Sequence, residues 1–212
     1  MELKGKTINF LGDSITEGVG ASAPDKIYLN VLKEMAELSC VRNYGISATR
    51  YANQTDPDDT VGNAFSDRFY EMNNNADVVV VFGGTNDYGH GDAKMGSFDD
   101  RENNTFYGAC HVLFSGLIKK YPESEIVIMT PLHREYDYMK SEKTGKTLKE
   151  YVDVIKEVAE YYSIPVLDLF SMGGLQPNIA EIKEKYVPDG LHPSDMGNKK
   201  IAERLYSFLK CL

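Results

Sequence analysis

The sequence predicts an α/β domain of the doubly wound kind: three layers, with a sheet of about five parallel strands and helices on both faces. Short apolar runs alternate with longer segments of helical periodicity. Strands separated by helices need crossover connections, which make the strands parallel and cover both faces of the sheet. With 212 residues, the chain can build one sizeable core and is short for two, because domains commonly run to roughly 100–200 residues. One domain spanning residues 1–212 is therefore expected.

The first strand is read at 7–11, where Ile8, Phe10 and Leu11 form a compact apolar run. A helix follows over 27–38, with Ile27, Val31, Leu32, Met35 and Leu38 recurring at helical spacing. Further strands are read at 40–44, 77–82, 125–129 and 166–168. The remaining helices are placed at 106–120, 148–162 and 194–209; the second of these carries Leu148, Tyr151, Val152, Ile155, Val158, Ala159 and Tyr162 on one stripe. Residues 48–62, 88–104 and 171–188 read as irregular segments, and loops of that length in a compact domain are usually functional.

Composition narrows the classes of function. Apolar residues make up 42% and charged residues 26%, near the averages for globular proteins. A net charge of −9 repels phosphate backbones and anionic lipid surfaces, so neither nucleic acid nor membrane is expected as a partner. Apolar runs such as 78–82 fall far short of the roughly 20 residues that span a bilayer. The first residues lack the apolar core and cleavage site of a secretory signal, which points to a cytoplasmic location. Cys40, Cys110 and Cys211 are odd in number with no CxxC spacing, so they suggest neither a disulfide framework nor a zinc site.

In open parallel sheets, ligands bind beyond the carboxyl ends of the strands. The segments that follow the strands are unusual here: Gly12-Asp13-Ser14-Ile15-Thr16-Glu17-Gly18 after the first, Gly45-Ile46-Ser47-Ala48 after the second, and Gly83-Gly84-Thr85-Asn86-Asp87 after the third. Asp189-Gly190-Leu191-His192-Pro193 precedes the final helix. A serine attacks a carbonyl only when a base removes its proton, and that base needs a third group to fix its tautomer. Ser14 lies in a tight strand-to-helix turn that Gly12 and Gly18 permit. Among the four histidines, His192 has a carboxylate three residues before it, Asp189, and lies in a loop shaped by glycine and proline. The Gly45 N–H and the Asn86 side chain are candidate oxyanion donors.

Plainer roles fit the same residues. Ser14 has the type and place of a helix cap, His192 and Asp189 those of ordinary loop residues, and Gly45 and Asn86 those of backbone-adapting positions. Asp13 and Asp87 are read as acceptors for neighbouring backbone N–H groups. His90, His111 and His133 lack metal-ligand spacing, and His111 falls within a helical pattern where a satisfied, partly buried imidazole is expected. Among Tyr88, Tyr107, Tyr136 and Tyr138, Tyr88 is the candidate for lining a cleft, being two residues beyond Asn86.

Taken together, Gly-Asp-Ser near the start, Gly-x-x-Asn-Asp after the third strand and Asp-x-x-His near the end resemble the GDSL, or SGNH, hydrolases. The four name-giving residues of that family map to Ser14, Gly45, Asn86 and His192, and its aspartate to Asp189. The resemblance implies a flavodoxin-like sheet, a Ser-His-Asp triad, and an oxyanion hole built from the Ser14 N–H, the Gly45 N–H and the Asn86 amide. It requires no cofactor or metal. Ile15 stands where the family's leucine would be, a volume-conserving exchange that leaves the turn intact.

The implied function is cleavage of a small-molecule carboxylic ester. Residues 88–104 carry His90, Asp92, Lys94, Asp99, Asp100, Arg101 and Glu102, a polar set better suited to a short acyl group, such as acetyl, on a polar or carbohydrate carrier than to a lipid chain. Lysophospholipase, thioesterase and acyltransferase chemistry would use the same residues. A phosphate- or nucleotide-binding module is the non-catalytic alternative; Glu17 opposes it electrostatically, and no Gly-rich nucleotide motif is present. Oligomeric state is open at this level.

Overall fold

In the computed structural model, which describes residues 1–55 and 64–212, five parallel strands form one sheet in the order β2-β1-β3-β4-β5. They are β1 (Thr7–Gly12), β2 (Cys40–Gly45), β3 (Val78–Phe82), β4 (Glu125–Met129) and β5 (Val166–Leu167). Chain order runs from β1 to one edge and then reverses across β1 to β3, so the crevice between β1 and β3 is the switch point where such sheets bind ligands. Gly12 pairs in register with both Gly45 and Phe82, so the three loops of interest leave the sheet at one level.

Alternation along the strands builds two cores. Val78, Val80 and Phe82 face one layer with Ile8 and Phe10; Val79 and Val81 face the other with Leu11, Ile126 and Ile128. The first layer is closed by α2 (Tyr28–Ala36) and the C-terminal helix α9 (Asp195–Cys211). The second is closed by α5 (Phe106–Lys120) and α6 (Leu148–Tyr161). Every residue of β3 is buried, as expected of a strand covered on both faces, and each such side chain contributes about 1.5–3 kcal/mol on leaving water. The polar exception is Asn9 in β1, which is fully buried but donates to Asn73 O at 2.7 Å and accepts from Arg42 Nη1 at 3.1 Å.

Helix starts carry their signals. Thr147 and Glu150 form a capping box ahead of α6, Thr105 caps α5, and Ser194 caps α9 through the Gly197 N–H. The strand boundaries differ slightly from expectation. Asp77 lies just outside β3, where its carboxylate accepts the Thr7 N–H at 2.8 Å, and Asp168 leaves β5 to cap α7 (Leu169–Met172).

Three short helices occupy stretches read as loops, α1 (Ser14–Glu17), α4 (Thr85–Gly89) and α8 (Ala180–Tyr186), and α3 (Phe65–Arg68) lies in a stretch to which no element was assigned. None of the residues of α8 is buried, so it has no apolar stripe for periodicity to detect. Residues 56–62 of the expected irregular segment 48–62 lie outside the described residues. Among the described residues, no helix is long and apolar enough to cross a membrane, and no group of His, Cys, Asp or Glu could hold a metal ion.

Candidate active site

The site is assembled from the ends of β1, β2 and β3 and from the loop before α9. At the end of β1 the chain turns at once into α1. Gly12 allows this, because a Cβ there would stand 2.0 Å from Thr16 Oγ1 and 2.9 Å from the Phe82 carbonyl oxygen. Asp13 caps α1 by accepting the Ile15 N–H at 3.0 Å. Ser14 is thereby the first residue of the helix, with its side chain turned to the rim.

The loop before α9 supplies the partner. His192 Nε2 lies 3.0 Å from Ser14 Oγ, and His192 Nδ1 lies 2.6 Å from the Asp189 carboxylate. Asp189 also accepts the backbone N–H groups of His192 (2.7 Å) and Leu191 (2.9 Å), so one carboxylate shapes the loop and orients the ring. Desolvation works against ionisation at Asp189, but the hydrogen bonds from His192 and Leu191 outweigh it and hold the carboxyl below its ordinary range. Its environment therefore suits a permanent anion.

A further residue holds this loop. Asn198, buried in α9, donates from Nδ2 to the Pro193 carbonyl at 2.9 Å and accepts the Tyr28 N–H at 3.0 Å. It ties α9, α2 and the histidine loop together. Nothing in its local sequence marks it, because its role depends on a helix more than 150 residues away in sequence.

Asn86 sits in α4 and lines the cavity over Ser14. Its Nδ2 donates to Thr49 O at 3.1 Å, leaving the second N–H of the amide, and its Oδ1 lies 3.2 Å from His90 Nε2. His90 Nδ1 in turn accepts from Arg50, with Nε at 3.2 Å and Nη2 closer still. Because Nδ1 is an acceptor, Nε2 carries the proton and donates to Asn86, which sets the amide with its nitrogen available. His90 belongs to the polar set expected near the substrate, but its link to Asn86 and the part of Arg50 were not expected; the i, i+4 spacing of Asn86 and His90 is the signal that points to the pair.

Gly45 requires a correction. Its N–H donates to Asn43 Oδ1 at 2.8 Å, and the residue does not line the cavity. What Gly45 provides is a close approach: a Cβ would stand 2.1 Å from the Glu17 nitrogen, inside α1. The residues of that loop that do line the cavity are Ser47 and Ala48; Ala48 has a left-handed backbone at φ +62°. Among the described residues its N–H has no acceptor. The preceding Ser47 is anchored to Glu17, which accepts its N–H at 2.7 Å and its hydroxyl.

Tyr88 is also corrected. It is buried, with its hydroxyl donating to the carbonyls of Tyr136 and Met139 at 3.1 Å each, and it does not line the cavity. Of the polar set in 88–104, only His90 lines it; Asp100 instead accepts from Thr105, and Arg101 lies over Phe98. His111 is buried in α5 with Nδ1 3.1 Å from the Tyr162 hydroxyl, but its Nε2 has no partner, so the imidazole is half satisfied.

Asp13 and Asp87 lie beneath the site, both buried. Asp87 accepts the N–H groups of Tyr51 (3.0 Å) and Ala52 (3.2 Å), which positions the loop after β2. Burial pushes the Asp13 carboxyl up to about 7 and the Asp87 carboxyl up to about 6, against the lowering effect of their backbone hydrogen bonds. Both serve as backbone acceptors, as expected.

The resulting cavity of about 300 Å³ holds Ser14, Ser47, Ala48, Asn86, Arg134 and His192 around one opening. A hydroxyl bonded to an imidazole, and that imidazole to a carboxylate, is the order in which a serine can lose its proton. Donors that converge near the hydroxyl can hold a developing negative charge.

This fold and this arrangement define a class of α/β hydrolytic enzyme, and comparison with known proteins places the chain in it. The family described as GDSL-like Lipase/Acylhydrolase matches residues 10–200. The chain belongs to the GDSL-like lipase/acylhydrolase family, and membership implies hydrolysis of esters. A protein of known structure from Lactobacillus plantarum is 29% identical, with 99% of this chain and 98% of that chain covered and a TM-score of 0.86. A possible lipase from Chitinophaga pinensis is 25% identical, with 97% and 98% covered and a TM-score of 0.74. The M. smegmatis aryl esterase, 21% identical with 98% and 99% covered and a TM-score of 0.66, shares the fold. No protein with curated function matches the chain.

Proposed function

We propose that the protein is a serine esterase that removes short acyl groups, for example acetyl, from a polar or carbohydrate carrier. The observation that carries this reading is the chain of hydrogen bonds from Ser14 Oγ through His192 (3.0 Å) to Asp189 (2.6 Å). His192 Nε2 takes the hydroxyl proton as Ser14 Oγ attacks the ester carbonyl. The tetrahedral intermediate collapses, the alcohol leaves with the proton from His192, and an acyl-serine remains. Water, deprotonated by the same imidazole, attacks the acyl-serine and releases the acid. Asp189 stays ionised throughout and stabilises the imidazolium.

The oxyanion is held by the Ser14 N–H, the free N–H of the Asn86 amide and the Ala48 N–H, which takes the part first assigned to Gly45. A cavity of about 300 Å³ sits at the small end of ligand sites, which favours a short acyl group over a lipid chain. The test is hydrolysis of p-nitrophenyl esters of increasing acyl length by the wild type and by Ser14→Ala and His192→Ala. Activity highest on acetate, and reduced by orders of magnitude in both variants, is expected. Unchanged activity in Ser14→Ala would remove the serine from the mechanism, and a preference for long chains would remove the short-acyl assignment.

A further inference from the structure

The chain has 32 acidic and 23 basic residues, yet the cavity over Ser14 is lined, among the described residues, by no Asp or Glu. Among the described residues, Arg134 is its one permanently charged lining residue. A cation kept in a cavity of an acidic protein calls for an explanation in terms of what enters it.

Arg134 lies beyond β4 and is set in place from several sides. Its Nη1 donates to Thr85 O at 3.2 Å and Thr85 Oγ1 at 3.4 Å, in the residue just before Asn86. The guanidinium stands 5.5 Å from the centre of the Tyr88 ring, and Tyr88 is itself fixed through its hydroxyl. Gly89 leaves the space: a Cβ there would lie 2.5 Å from Nη1. The group is thus held rigidly, beside the oxyanion donor and at the wall of the cavity.

The carboxylates in its neighbourhood are engaged elsewhere. Asp137 accepts from His133 Nδ1 at 2.5 Å and from the backbone N–H of Arg134 at 3.2 Å; Asp189 is bound to His192. Among the described residues, no carboxylate forms an ion pair with the guanidinium, and its Nε and Nη2 have no protein acceptor. Burial works against its charge, and an incoming anion would offset that penalty. A guanidinium presents a planar fork of N–H groups that matches a carboxylate. A single such cation balances one carboxylate, whereas a phosphate dianion would leave a charge uncompensated in the cavity.

We infer that the substrate is an ester bearing a carboxylate within a few bonds of the scissile carbonyl, and that Arg134 is the specificity-determining residue that binds it. This rests on the esterase reading for the reaction but not for the binding. Three probes separate the cases: monomethyl succinate, with the carboxylate in the acyl half; acetoxyacetate, with it in the alcohol half; and methyl 4-oxopentanoate, a neutral counterpart of the first.

Calorimetric titration into Ser14→Ala, which cannot turn them over, is expected to show at least one carboxylate ester binding 10-fold or more tighter than the neutral one. Adding Arg134→Gln should abolish that preference, and adding Arg134→Lys, which keeps the charge but not the fork, should keep part of it. In protein with Ser14 intact, Arg134→Gln should raise KM for the preferred carboxylate ester 10-fold or more with a smaller change in kcat. Equal binding of charged and neutral esters, or a preference that survives Arg134→Gln, overturns the inference. Arg134-dependent binding in a protein that hydrolyses none of the three supports the carboxylate site and counts against the esterase reading alone.

Discussion

His90, the residue that follows α4, has its Nε2 3.2 Å from Asn86 Oδ1, while Arg50 donates to the other ring nitrogen. A neutral imidazole therefore sits as a fixed link between a cation and the amide that faces the cavity. An amide can be flipped with little steric cost, so its useful orientation must be enforced by its neighbours. His90 is a positioning residue for Asn86.

Removing the Asn86 amide by Asn86→Ala should lower kcat by about 100-fold or more, the usual loss for one oxyanion donor. His90→Ala should lower kcat by a smaller factor, with KM less affected, because the amide remains but is no longer held. The double variant should lose little beyond Asn86→Ala alone. Losses that multiply in steady-state assays of all three would show that His90 acts independently of Asn86.

Asp189→Asn should cut kcat by about 100-fold or more, yet by less than Ser14→Ala does, as is usual for the third member of such a set. Asparagine can still accept the N–H groups of Leu191 and His192 through its oxygen, so the loop should persist and the melting temperature should change little. Full activity in Asp189→Asn would mean that the His192 ring is oriented by something else.

Gly45→Ala keeps the backbone N–H but places a Cβ 2.1 Å from the Glu17 nitrogen. Overpacking of this kind costs about 1–3 kcal/mol, so thermal unfolding should occur on the order of 5 °C lower, with activity falling as α1 is displaced. A Gly45→Ala protein with unaltered melting temperature would refute the close-approach role.

The buried Asp13 carboxyl, raised to about 7 from an ordinary 3.8, predicts a pH effect on stability. Between these values the folded state holds a proton that the unfolded state has released, so this group's contribution to stability falls as pH rises from about 4 to about 7. Asp87, raised to about 6, acts in the same direction, whereas His111, lowered from 6.5 by burial, opposes both. The comparison that isolates Asp13 is Asp13→Asn, which retains a capping oxygen. Urea denaturation at pH 5, 6 and 7 should show this variant gaining on the wild type with each step. A constant difference across that range would mean that Asp13 is ionised in the folded protein throughout.

Much of this was legible in the chain because it is encoded locally. The run 78–82 reads as a strand covered on both faces, the stripe from Leu148 to Ala159 reads as a helix, and Asp189-Gly190-Leu191-His192 reads as a pair that one loop can bring together. Asn198, Arg50 and Arg134 were not legible. Each acts on a partner distant in the chain, and none belongs to a local pattern that separates it from an ordinary helix or loop residue.

By itself, the sequence determined the parallel α/β sheet, the loops that bear the chemistry, and the pairing of His192 with Asp189, since these follow from apolar periodicity and short-range spacing. Only the tertiary structure decided which groups face the cavity. Asn43 claims the Gly45 N–H, Ala48 lines the cavity with Ser14, and Thr85 and Tyr88 hold Arg134 in the cavity wall. The physical reason is that a donor's availability depends on every competing acceptor around it, and those acceptors are brought together only when the whole sheet and its helices have packed.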